Sequence, residues 1–162
     1  MIVVVFGLPG TGKSSFAGRL AEIIKAEYIS SDRVRFKMIK DRAYTEEEKM
    51  KVYDQMLVLT RQLIRQQKRV VLDATFYRKE IRQMFVALAA SLNVKIYFIE
   101  VTARELLVKK RVSKKRKESE ADYEVYRKVK ALFQPMVEQH LTLESQENNI
   151  REMLEKAAKY LG

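Results

Sequence analysis

Cysteine is missing from the 162-residue chain, which excludes a disulfide framework and any thiolate metal centre. Histidine occurs once, at His140, next to a weakly patterned edge strand, where a structural role is expected rather than a catalytic one. Glycine (five) and proline (two) are scarce, so few breaks interrupt the regular elements. Neither an internal repeat nor a low-complexity linker divides the sequence. No stretch approaches the ~18 apolar residues of a membrane-spanning helix. The first residues already read as a strand, so no signal peptide is expected, and a cytoplasmic location is the simplest reading.

Acidic residues are also the minority charge: 21 Asp and Glu stand against 32 Lys and Arg, a net charge of +11. Such a surface attracts polyanions, nucleic acid among them, unless the excess belongs to a phosphate pocket and to solvated helix faces. With 47% hydrophobic and 33% charged residues, the sequence reads as a globular domain over 1–162.

The most informative stretch is at the start. Residues 2–6, Ile-Val-Val-Val-Phe, form an unbroken apolar, β-branched run, as in a strand buried on both faces. Gly7, Gly12, Lys13 and Ser14 then satisfy G-x-x-x-x-G-K-[ST], the phosphate-binding P-loop. Gly7, Leu8, Pro9, Gly10, Thr11, Gly12, Lys13, Ser14 and Ser15 are therefore the expected nucleotide-binding segment. Its glycines let successive N–H groups turn toward an anion. Lys13 can reach the β- and γ-phosphates, and the Ser14 hydroxyl is placed to ligate Mg²⁺. Residues 14–26 read as a helix, with Phe16, Leu20, Ile23 and Ile24 on one face and its N-terminus toward the phosphates.

Strand and helix patterns alternate along the rest. Residues 27–30 read as a strand and 33–40 as a short helix. Thr45 and Glu48 form a capping box that opens a long helix to about residue 67, with Met50, Tyr53, Leu57, Thr60 and Ile64 as its apolar stripe. Residues 69–72 are a third strand ending at Asp73, 79–91 a helix, and 94–101 a fourth strand. Two helices follow, at 103–117 and 121–133. A weak edge strand at 140–144 leads to a final helix that Ser145 can cap. This order implies an α/β fold with a parallel sheet covered on both faces.

Parallel sheets bind ligands beyond the carboxyl ends of their strands, which is where three polar clusters fall. Asp32 can take the proton of an attacking hydroxyl, or it can simply cap a helix. Arg35, three residues on, can hold an anionic group of an acceptor, or lie on the surface. Asp73 ends a Walker-B-like Val-Val-Leu-Asp and can hold Mg²⁺ or bind the acceptor. Ala74 follows it, where a hydrolysing motor would need a glutamate to activate water. Thr75 and Arg78 belong to a loop expected to line the acceptor side, if that loop is not purely structural. From 104 to 117 the chain carries eight Lys or Arg. Of these, Arg111 and Arg116 are expected to close over the triphosphate, and most of the others to form a solvated face.

The P-loop sequence Gly-Leu-Pro-Gly-Thr-Gly-Lys-Ser-Ser, then Ser-Ser-Asp-Arg-Val-Arg, Val-Val-Leu-Asp-Ala-Thr-Phe-Tyr-Arg and an arginine-rich lid together resemble the P-loop kinases of the polynucleotide kinase, zeta toxin and chloramphenicol phosphotransferase group, predicted AAA-domain kinases. Gluconate kinases are more distant relatives of that group. The resemblance implies a P-loop NTPase fold with five parallel strands in the order 2-3-1-4-5 and a small helical lid at about 104–130. It implies ATP and Mg²⁺ as cofactors, transfer of the γ-phosphoryl group to a hydroxyl, and an Asp-x-x-Arg pair, here Asp32 and Arg35, as base and acceptor ligand. The acceptor would be a small molecule or a polynucleotide 5′-hydroxyl. The alternative function is a non-catalytic nucleotide-dependent switch or an RNA-binding ATPase module that docks through the basic helix.

Overall fold

A computed structural model describes residues 1–41, 43–114 and 123–162. Five strands are β1 (Ile2–Phe6), β2 (Glu27–Ser30), β3 (Val70–Asp73), β4 (Ile96–Thr102) and β5 (Leu141–Glu144). Between and after them lie α1 (Lys13–Ile23), α2 (Ser31–Met38), α3 (Glu46–Arg65), α4 (Lys79–Ser91), α5 (Glu105–Val112), α6 (Tyr123–Leu132) and α7 (Ile150–Leu161). The sheet order is β2-β3-β1-β4-β5, as expected, and every pairing is parallel.

β1 is the middle strand, and all five of its residues are fully buried, which is why it carries no polar position. Ile2, Val4 and Phe6 join Leu72 and Phe98 against Val52 and Met56 of α3 and Phe85 of α4. Val3 and Val5 face the other way, toward Phe16, Leu20 and Ala21 of α1 and Met153 and Ala157 of α7. A fully buried side chain such as Phe16 contributes about 1.5–3 kcal/mol, so α1 is fixed rigidly against the sheet. With it is fixed the turn that enters α1.

The sequence reading needs correction at several elements. Ile23 is 57% exposed, because the buried stripe of α1 runs through Phe16, Ala17, Leu20 and Ala21 instead. In α3 the deepest positions are Val52 and Met56 rather than Met50 and Leu57. Within the described residues α5 ends at Val112, earlier than expected. There the Ser113 hydroxyl donates to the Lys110 carbonyl at 2.7 Å and competes with the helical ladder. Ser145 does not cap α7, whose N-cap is Asn149. The Asn149 side chain closes the preceding loop, accepting from Gln146 N and donating to Glu144 O, both at 2.8 Å. His140 lies 3.2 Å from a Glu100 carboxylate oxygen and beside the Phe6 ring, a structural setting.

Candidate active site

The loop between β1 and α1 sits at the carboxyl edge of the sheet. Gly7 has φ of 145°, and a Cβ there would stand 2.3 Å from the backbone oxygen of Val101. Glycine is thus required because β4 passes so close. Thr11 closes the turn by donating from its hydroxyl to Leu8 O at 2.9 Å. Gly12 is the N-cap of α1, with φ of 88°, no side-chain cap and no acidic residue in the first turn. The first N–H groups of α1 therefore keep their capacity to bind an anion. Lys13 and Ser14 begin the helix and line a cavity of about 400 Å³ together with Gly10 and Gly12.

The rest of its lining comes from the ends of β2 and β3, from α2 and the start of α3, and from α6. It includes Asp32, Arg35, Tyr44, Lys49, Asp73, Thr75, Val125 and Lys128. Ser14, Asp73, Asp32, Arg35 and Thr75, all singled out by sequence position, thus meet at one space.

Asp73 is only 2% exposed, and the sheet register sets it beside Val5 of β1 and Ser30 of β2. Its Oδ2 accepts from the Tyr28 hydroxyl at 2.6 Å. Its Oδ1 is buried and has no hydrogen-bond partner among the described residues. Burial, followed by the charge of Asp73, pushes the Tyr28 phenol upward, so the tyrosine remains a proton donor to the carboxylate.

Asp32 lies in the first turn of α2, after the N-cap Ser30, which makes no side-chain cap. Its carboxylate pairs with Arg35 across one turn, Oδ1 to Nη1, at 3.5 Å. Arg35 is also held from behind by Glu48, Nε to Oε1, at 3.5 Å, and lies over the Tyr44 ring at 4.9 Å. The expected capping box is therefore only half formed. Thr45 Oγ1 accepts from Glu48 N at 3.1 Å, but the Glu48 carboxylate turns to Arg35 and to Ala43 N, at 2.9 Å from the latter.

Thr75 reaches the cavity because the next residue takes an unusual conformation. Phe76 is fully buried at a φ of 47°, a strained choice for a bulky side chain that costs about 1–3 kcal/mol. The Tyr53 hydroxyl accepts its N–H at 2.9 Å, and its ring sits between Tyr53 and Phe85 at 5.3 and 5.2 Å. Arg78 faces elsewhere: it pairs with Glu46 at 3.8 Å and Glu80 at 3.7 Å and does not line this cavity. Between them, Tyr77 donates its hydroxyl to Glu46. Burial and that bond push the Tyr77 phenol up to about 12, while the same bond holds the Glu46 carboxyl below its usual range.

Arg111 of α5 lies against the P-loop, since a Cβ on Gly12 would come within 3.0 Å of its guanidinium. Its Nη2 donates to Ser145 Oγ at 3.1 Å and to Gln146 O at 3.2 Å. Arg116 lies outside the described residues. Other cations of the basic stretch are engaged on the outer face. Lys110 pairs with Glu147 at 2.7 Å, Arg104 with Glu144 at 3.8 Å, and Lys109 stacks on Tyr123 at 5.3 Å.

Sequence reasoning missed Tyr28, Glu48, Lys49 and Lys128 as contributors to the site. Glu48 was read only as part of a capping box, and Tyr28, Lys49 and Lys128 sit in no local motif; each reaches the site by strand register or helix packing. Among the described residues no helix is long and apolar enough to cross a membrane, and none forms a group of three or more His, Cys, Asp or Glu suited to a metal.

The fold recurs in solved structures. The APS kinase CysC of Mycobacterium tuberculosis, in complex with AMPPNP and APS, is 16% identical with a TM-score of 0.76, over 99% of this chain and 96% of that one. Kti12 of Chaetomium thermophilum with ADP-AlF3 is 17% identical with a TM-score of 0.73, over 100% of both chains. A gluconokinase from Sinorhizobium meliloti 1021 is 16% identical with a TM-score of 0.73, over 98% of this chain and 94% of that one. At these identities the likeness establishes the fold, that of a P-loop NTPase. No curated protein matches the chain. Residues 2–136 match the AAA domain family AAA_33, and the chain belongs to that family.

Proposed function

We propose that the protein transfers the γ-phosphoryl group of ATP to a hydroxyl acceptor, either a small molecule or a polynucleotide 5′-hydroxyl. One observation carries this reading. A single cavity is lined both by the phosphate-binding P-loop residues and by a carboxylate–arginine pair, Asp32 and Arg35. In the step itself the acceptor oxygen forms a bond to the γ-phosphorus as the bridging bond to the β-phosphate breaks. Asp32 takes the hydroxyl proton, and ADP leaves. Lys13 and the loop amides hold the donor, and Arg111 stabilises charge on the group in transfer.

The residues present fit Mg²⁺. The buried Oδ1 of Asp73 lacks a partner among the described residues, as suits an oxygen reserved for the ion or its water shell, and the Ser14 hydroxyl lines the same cavity. When bound, Mg²⁺ offsets charge on the β- and γ-phosphates. Gluconokinase and APS kinase among the structural neighbours support the phosphotransferase reading. Incubating the protein with γ-labelled ATP and a panel of sugars, nucleosides and 5′-hydroxyl oligonucleotides tests it. Label is expected on an organic acceptor. Slow release of free phosphate with every acceptor would instead support a nucleotide-dependent switch.

The Tyr28–Asp73 hydrogen bond makes Tyr28 a positioning residue. Tyr28→Phe keeps the ring under the Arg33 guanidinium, 5.0 Å away, and deletes only the bond. The Mg²⁺ concentration at half-maximal turnover is expected to rise about 10-fold, by analogy with lost outer-shell partners of metal ligands. An unchanged Mg²⁺ dependence would detach Asp73 from the metal.

A further inference from the structure

A smaller cavity of about 80 Å³ lies beyond Asp32, lined by Ser31, Asp32, Arg35, Lys49, Tyr53, Thr75 and Tyr77, with Val129 and Leu132 of α6 above. Ser31, Asp32, Arg35, Lys49, Thr75 and Val129 also line the large cavity, so the small one is its inner lobe. Its polar lining is rich in donors. Arg35 and Lys49 are cations, and Thr75 and Tyr53 bring hydroxyls. Asp32 is the one carboxylate on its wall.

Arg35 pairs with Asp32 on the lobe wall and with Glu48 outside it, whereas the one carboxylate paired with Lys49 lies outside the lobe. Glu48 grips Arg35 and does not line the lobe. Glu46, exposed at the surface, takes one bond from Lys49 at 3.2 Å, and the Lys49 ammonium rests 5.2 Å from the centre of the Tyr77 ring. An ammonium has three N–H donors, so one bond to Glu46 leaves others to aim inward. The Tyr53 phenol accepts from Phe76 N, and its own proton remains to be given. Tyr53 is 5% exposed, and burial pushes its phenol upward, so the hydroxyl stays protonated as a donor.

We propose that Lys49 and the Tyr53 hydroxyl join Arg35, already expected to hold an anionic group of the acceptor, in a subsite for a carboxylate or phosphate formed by this lobe, with the reacting hydroxyl at Asp32. The proposal rests on the phosphotransferase reading and narrows it: the acceptor is a small hydroxylated anion. A volume of about 80 Å³ suits one such group, since a single water occupies about 30 Å³ of liquid. A nucleobase does not fit within the lobe itself. Val129 and Leu132 add apolar surface to the lobe wall.

The test compares acceptors of matched size and different charge: a six-carbon sugar acid against the neutral hexitol, glycerol phosphate against glycerol, and a 5′-hydroxyl oligonucleotide. Wild type is expected to label at least one of the anions with the highest kcat/KM. The carboxylate and phosphate arms show which group fits. Lys49→Met keeps the stem against Tyr77 and removes the charge. The ratio of kcat/KM for anionic over neutral acceptors is expected to fall about 10- to 100-fold, as for a lost charge-assisted bond, and Lys49→Arg to restore part of it. Calorimetry of the two anions with the AMPPNP-loaded protein gives a readout independent of transfer. Equal labelling of neutral and anionic acceptors, preference for the oligonucleotide alone, or anion affinity unaltered by Lys49→Met would each overturn the subsite while leaving phosphotransfer standing. Absence of label on every acceptor, with anion binding that depends on Lys49, would overturn phosphotransfer and leave the subsite.

Discussion

Asp32→Asn is expected to lower turnover about 10²- to 10⁴-fold, the usual contribution of a positioned general base. Size and shape are kept, and the amide can still donate or accept within α2, but it cannot take a proton. ATP binding is expected to change little, because Lys13, Ser14 and the loop amides, not Asp32, are the groups that hold the donor. A loss confined to kcat, with ATP affinity measured separately by calorimetry, marks an interaction made in the transition state. The substitution also weakens the Asp32–Arg35 ion pair, which could let Arg35 drift. Glu48 opposes that drift, since it holds the same guanidinium from the other side. Near-wild-type turnover in Asp32→Asn would reduce Asp32 to a partner that orients Arg35, and the proton would have to leave by another route.

The dependence of Asp32 on Glu48 shows where the sequence stopped being readable. The P-loop was legible because it rests on a local pattern, whereas the strand order came from the family resemblance. The unbroken apolar run at residues 2–6 follows from burial on both faces, and the glycine spacing follows from the backbone turn it must make. Asp32, Arg35, Asp73 and Thr75 were legible because strand ends in a parallel sheet converge on one edge. The Thr45–Glu48 spacing, in contrast, matched a capping box, yet the carboxylate serves Arg35, a residue on another helix. Tyr28 and Tyr53 look like ordinary strand and helix aromatics in sequence. Their roles depend on where their hydroxyls arrive, at Asp73 and at the Phe76 amide. Those endpoints are set by sheet register and by a left-handed backbone at Phe76, neither of which has a sequence signature. Arg78 differs from its neighbours for a related reason. Its neighbours in sequence line the cavity, but its own side chain follows Glu46 and Glu80 outward.

Gly7→Ala is expected to destabilise the fold by about 3–5 kcal/mol, combining the usual cost of overpacking with that of backbone strain. The added Cβ would meet Val101 O at 2.3 Å, a backbone atom of β4 and not a flexible side chain. β4 cannot retreat easily, because it pairs with β1 from Ile96 to Glu100 and with β5 from Ile99 to Thr102. Val101 itself is fully buried. The φ of 145° at Gly7 is a second barrier that no side-chain rearrangement relieves. For a chain of this length a loss of that size corresponds to a fall in Tm of roughly 10 °C or more. The P-loop leaves β1 at this residue, so ATP affinity should fall with stability. Gly18→Ala supplies the contrast: Gly18 lies within α1, and nothing stands within 4 Å of its added Cβ. That change is expected to be neutral or to stabilise by up to about 1 kcal/mol, since alanine is the better helix former. Thermal melts of the two variants, with ATP titrations on each, separate the cases. A Gly7→Ala protein that melts alongside wild type and still binds ATP would mean that β4 yields at Val101, and that the close approach of the two strands is not what demands glycine there.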